Sequence, residues 1–268
     1  MKNTKASMIH ILIGVLYLLG MIFISYGIRT PLVLFIAVIF LVLAIARKDV
    51  RYLILSLFTF LLSFYLYTLL RNLFHQNIDD LALTVLLDRL LLSLIIISLV
   101  ITAYLCRKHI SLNLRKPKWN NLIYFPFITH GFHSTKISLF LKLSILGNVA
   151  VFIPLIYIFG DWGRMKDLLF FALLFSIVNA FLEELIWRGT LFQVLSKEVS
   201  IFYATIITSL AFGLHHIAIG IPFAAAISFS IGGVFFAIVT TRSESTIPAI
   251  LWHFIINLFM VFSGFIIP

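Results

Sequence analysis

The side chains best suited to chemistry fall in three short clusters. Phe181-Leu-Glu-Glu-Leu-Ile-Trp-Arg-Gly189 carries Glu183, Glu184 and Arg188. Phe212-Gly-Leu-His-His216 carries His215 and His216, and His253 is followed four residues later by Asn257. A carboxylate and an imidazole together can orient a water and take its proton. A second imidazole with a carboxamide can donate hydrogen bonds to a developing oxyanion. The same types can hold a divalent metal such as zinc through Glu183, His216 and His253, with a position left for water. The residues fit hydrolysis by either route, metal-bound or metal-free.

Helix geometry sorts them, because positions four apart share a face. Glu184 and Arg188 therefore lie together and can pair. Glu183 lies about 100° round the helix from Glu184, which leaves it to face a cavity. His253 and Asn257 share one face, as do Phe212 and His216. His215 is adjacent to His216, points elsewhere, and reads as structural.

These clusters sit in apolar surroundings. Between residues 168 and 268 only seven positions are charged, and Glu183, Glu184 and Arg188 fall within or at the end of an apolar run. Ionisable groups in a bilayer cost several kcal/mol if unpaired, so they signal function by default.

The elements that must position them are membrane helices. The chain of 268 residues is 62% hydrophobic and only 11% charged, with a mean hydropathy of +1.13. A soluble domain carries about 25% charged residues. The apolar runs are roughly 17 to 25 residues long, the length that spans a bilayer as a helix. They lack the alternation of barrel strands. The fold class is therefore all-α: a polytopic transmembrane helix bundle of eight to nine spans in one membrane domain. Nine apolar segments are expected at 8–26, 31–46, 52–70, 90–106, 143–159, 168–187, 201–217, 221–240 and 246–267. Residues 1–142 form N-terminal helices with a basic loop, and residues 143–268 form the catalytic core. Glu183 then falls near one end of its span and His216 near the opposite end of the next. A shared depth requires the sixth span to run past Arg188 toward Lys197, or the seventh to begin later or tilt.

Charge gives an orientation. The net charge is +10, and the basic residues gather between apolar runs, as they do in cytoplasmic loops. Arg47, Lys48 and Arg51 occupy one such loop. Arg107, Lys108, Arg115, Lys116, Lys118, Lys136 and Lys142 occupy another, on the same side as Lys2 and Lys5. This distribution argues for a lipid bilayer and against nucleic acid as the partner. Trp119, Tyr124, Phe125, Phe127 and Phe132 mix with the basic residues, which suits a segment lying at the headgroup surface. A single cysteine, Cys106, excludes an internal disulfide and a cysteine metal cluster. The first apolar stretch is longer than a signal-peptide core and reads as an uncleaved helix.

Taken together, the three clusters resemble the motifs of the CAAX protease and bacteriocin-processing family. Glu183-Glu184-x-x-x-Arg188-Gly189 resembles the first, Phe212 to His216 the second, and His253-x-x-x-Asn257 the third. They occur in order, 33 and 37 residues apart by their Glu183, His216 and His253 positions, each on an apolar span. The resemblance covers about residues 165 to 262. It implies an intramembrane endopeptidase acting on a membrane-associated protein or peptide substrate. In that family the first Glu and second-motif His activate water, and the third-motif His and Asn stabilise the oxyanion. Here these are Glu183, His216, His253 and Asn257, with Glu184, Arg188 and Phe212 in support. The family is classed with metallopeptidases, and a metal-free glutamate mechanism has also been argued. The absence of an organelle address such as a terminal Lys-Asp-Glu-Leu accords with a bacterial cytoplasmic membrane. Two other functions compete: a non-catalytic membrane immunity or scaffold protein on the same fold, and an ion or proton transporter using the buried Glu and His residues.

Overall fold

Hydrocarbon offers backbone amides no partner but one another, so an apolar run in a membrane must close its hydrogen bonds within itself. The computed structural model of the chain shows this outcome. It describes residues 7–27, 30–126, 130–160, 162–163 and 165–266. Lys2, Lys5, Phe127 and Ile267 lie outside the described residues.

All nine expected apolar segments are helical. They form α1 (Met8–Ser25), α2 (Thr30–Ala46), α3 (Arg51–Asn77), α4 and α5 (Leu81–Leu91 and Ser93–Leu105), α6 (Ile137–Phe159), α7 (Met165–Glu184), α9 (Ile201–Ala218), α10 (Phe223–Ser243) and α11 (Ile247–Phe262). A π-helical segment, Leu185–Leu191, and a short α8, Phe192–Glu198, continue α7. Among the described residues, seven helical runs are long and apolar enough to cross a bilayer. Thr30–Ala46 and Ile247–Phe262 are apolar but shorter. Large apolar side chains point outward, with Phe170 and Phe202 76% and 71% exposed, as lipid contact permits and water does not. The protein is an integral, multi-pass membrane protein.

Two expected boundaries move. The fourth span begins at Leu81 rather than Leu90. Asp88 and Arg89, which fall just before the expected 90–106 span, lie inside the helical run and are buried. The sixth span does run past Arg188, as far as Glu198, so Glu183 and Glu184 stand near its middle rather than at its end.

The helices belong to two compact units whose segments alternate along the chain. One comprises Met1–Asn72, Ser93–Leu112 and Ile186–Ala237, and the other Leu73–Leu92, Asn113–Leu185 and Ile238–Pro268. In the first, α1 lies on α9. Tyr203 donates its hydroxyl hydrogen to the His10 carbonyl at 2.7 Å, and Gly14 leaves room for the Tyr203 and Ile207 side chains against α1. Aromatic rings from Tyr17, Phe60 and Trp187 fill its interior. In the second, Phe171, Ala172, Phe175 and Val261 form a core between α7 and α11, flanked by Val85 and Leu86 of α4. Trp252 of α11 donates its indole N–H to Asn148 of α6 at 2.7 Å.

The basic segment after α5 is not merely interfacial. It contains a two-stranded antiparallel hairpin, β1 (Leu122–Pro126) and β2 (Gly131–Lys136), with Leu122 opposite Lys136 and Tyr124 opposite Ser134. The segment docks on the turn between α10 and α11. Arg115 donates to the Glu244 carbonyl at 2.8 Å, and Lys118 donates to the Glu244 carboxylate at 2.7 Å. The Lys118 hydrogen bond holds the Glu244 carboxyl below its usual range. Arg242 donates to the Leu122 carbonyl and covers the Tyr124 ring.

Candidate active site

The second unit gathers Glu183, Glu184, His253 and Asn257, all of them buried. α7 brings the two carboxylates and α11 brings the imidazole and the amide. α11 starts with Pro248 in its first turn, where a missing N–H costs nothing. His253 and Asn257 then fall one turn apart on its buried face.

His253 lies between the carboxylates. Its Nδ1 is 2.9 Å from Glu184 Oε1, and its Nε2 is 3.9 Å from Glu183 Oε2. The Glu184 contact at Nδ1 fixes the ring, and Nε2 is the nitrogen that faces Glu183. With a proton it donates toward a developing oxyanion; bare, it is a metal ligand. Asn257 Nδ2 is buried with no hydrogen-bond partner among the described residues. An unspent buried donor costs free energy, which makes the amide a candidate donor to a bound acceptor.

Glu183 departs from expectation. It was expected to face a cavity without a partner, but Arg89 of α4 reaches it, with Nη1 3.4 Å from Glu183 Oε1. The same Nη1 donates to Asn179 Oδ1 at 3.2 Å. Burying an ionised carboxylate is costly unless a cation accompanies it, and α4 supplies one. A sequence signal for Arg89 did exist. Asp88-Arg89 interrupts an otherwise apolar stretch from Leu81 onward, which marks a buried charge as readily as a loop.

The first unit holds the other motif residues. Arg188 is fully buried. Its Nη2 donates to the Gly233 carbonyl at 3.0 Å, and its guanidinium lies 4.6 Å from the Phe212 ring centroid and 5.1 Å from that of Phe236. Arg188 belongs to the π segment, where bonds close i to i+5. Phe212 supports Arg188 through its ring. It also supports His216 through its carbonyl, 2.7 Å from His216 Nδ1. A carbonyl cannot donate, so Nδ1 carries a proton in this contact. Phe229 stacks on the imidazole at 3.8 Å between centroids. His216 is thus a ring held in place by the Phe212 carbonyl and the Phe229 face.

His215 is not turned wholly away from His216. The two ring centroids are 5.4 Å apart, and His215 packs among Phe64, Tyr67 and Trp187.

Gly213 lies between Phe212 and His216 because nothing larger fits. A Cβ there would overlap Ser230 Oγ and come within 2.5 Å of the Ala226 carbonyl oxygen on α10. Gly213→Ala should destabilise the protein by about 1–3 kcal/mol, the usual range for overpacking. Thermal unfolding in detergent checks this, and an unchanged melting temperature would contradict it.

Residues 165–259 match the family model for type II CAAX prenyl endopeptidase, Rce1-like. The match contains all three clusters and agrees with the family they resemble. No curated protein and no solved structure gives a significant match.

Proposed function

We propose that this chain, a CAAX-endopeptidase-like protein over residues 165–259, hydrolyses peptide bonds of membrane-associated protein or peptide substrates. The observation that carries the reading is the buried imidazole of His253 between two buried carboxylates. A membrane helix bundle has no structural need of that arrangement at the cost it entails.

In this reading Glu183 and His216 Nε2 take the proton of the attacking water. His253 and Asn257 donate to the carbonyl oxygen as it becomes an oxyanion. Glu184 fixes the His253 ring, and Arg188 and Phe212 hold the second-motif helix. The carboxylate and imidazole donors also suit a divalent metal, which Glu183, His216 and His253 would hold and which would polarise water and carbonyl. The membrane we propose is the bacterial cytoplasmic membrane, with the basic loops facing the cytoplasm.

The test is proteolysis by the purified protein in detergent against a panel of fluorogenic membrane peptides, with Glu183→Ala alongside. Cleavage should be present in the wild type and absent in the variant. Titration with a chelator then separates the two chemistries. Resistance assigns water activation to the side chains alone, and loss that zinc restores assigns a metal. A wild type that cleaves nothing on the panel would favour a scaffold or immunity role.

A further inference from the structure

We infer that Arg89 is a positioning residue for the Glu183 carboxylate, which rests on the peptidase reading above. A guanidinium inside a hydrophobic span is rare and needs a reason. Arg89 lies in the apolar run Leu81–Leu105 and is 6% exposed. Its contacts follow one line. Phe175, Asn179 and Glu183 are spaced by four along α7, so they form one stripe on that helix. The Arg89 guanidinium carbon lies 5.8 Å from the Phe175 ring centroid. Its Nη1 reaches Asn179 Oδ1 at 3.2 Å and Glu183 Oε1 at 3.4 Å. The whole stripe is read by one side chain.

The consequence lies in which carboxylate oxygen is engaged. Arg89 holds Oε1. Oε2 is the oxygen that lies 3.9 Å from His253 Nε2. The guanidinium thus fixes the rotamer of Glu183 and presents a defined oxygen to the reacting groups. A carboxylate with two free oxygens would rotate, and loss of orientation costs rate steeply. The preceding residue fixes α4 in turn. Asp88 Oδ2 lies 2.7 Å from His75 Nε2 at the end of α3. Two adjacent buried charges therefore engage different helices, which sets the rotation of α4 and directs Arg89 at α7.

Arg89→Lys tests this because it keeps the charge and loses the planar fork. We expect kcat to fall by about 10- to 100-fold, with KM within about threefold and the melting temperature near that of the wild type. Asn179→Ala, which frees one side of the clamp, should lower kcat in the same direction but less. A merely structural arginine would lower yield or melting temperature and leave kcat per folded molecule unchanged, and that result would overturn the inference.

A second measurement needs no activity. In the cycle of Arg89→Met, Glu183→Gln and the double variant, each single leaves a buried group unmatched. The double variant should melt above the sum of the single losses. Additive losses would overturn the clamp. If the wild type cleaves none of the peptides, the peptidase reading fails and the cycle still decides whether Arg89 holds Glu183.

Discussion

Glu183→Gln will lower kcat for membrane-peptide cleavage by about 10³-fold, within the range of about 10²–10⁴ that a general base supplies. Glutamine matches glutamate in size, so packing is kept while the proton acceptor is lost. The substitution also leaves Arg89, 3.4 Å away, without its carboxylate. Removing one partner of a buried ion pair typically costs about 3–5 kcal/mol. The melting temperature should therefore fall along with the rate, and the rate must be expressed per folded molecule. Reconstituted protein, assayed at saturating peptide with circular dichroism on the same sample, gives both quantities. Activity within tenfold of the wild type would remove Glu183 from the role of base.

Asn257→Ala should show the opposite balance. Loss of one oxyanion donor costs about 10²–10³ in kcat, with little change in KM. Yet the fold should lose little, because Asn257 Nδ2 has no hydrogen-bond partner among the described residues to abandon. The melting temperature should hold or rise, since an unsatisfied buried amide N–H is removed. A paired measurement of kcat and melting temperature decides it. A kcat that stays within threefold while the protein loses stability would show that Asn257 is a packing residue.

The contrast between these variants shows how much of the site was legible in the sequence. The three clusters stood out because charged and imidazole side chains are rare in apolar runs. Spacing of four correctly put His253 and Asn257 on one buried face. Arg89 was missed for the converse reason. The expected span began at 90, just after this pair of charges, and only tertiary partners, His75 for Asp88 and α7 for Arg89, reveal that the helix runs through them. The cation partner of Glu183 was hidden with it, since it comes from a helix about 90 residues earlier in the chain. The π segment at Leu185–Leu191 was also out of reach. Its hydrogen-bond register depends on packing around Arg188, and helix propensity does not encode it. The hairpin at residues 122–136 was hidden by the basic and aromatic mixture, which reads equally well as a surface-bound coil.

The buried hydroxyls have a consequence for whatever polypeptide reaches the site. Thr190, Thr205 and Thr208 each donate to the carbonyl four residues back in their own helix. Ser56 and Thr102 do the same. These hydroxyls have spent their donor hydrogens and offer an entering chain no donor. Asn257 Nδ2 has no acceptor among the described residues. A helical guest has its carbonyls engaged internally and cannot supply one cheaply. An unwound guest has bare carbonyls that hydrocarbon penalises by several kcal/mol each. On the proposed peptidase reading, the interior thus favours a stretch of guest chain that has already lost its helix, and discrimination between guests becomes a matter of how readily each one unwinds.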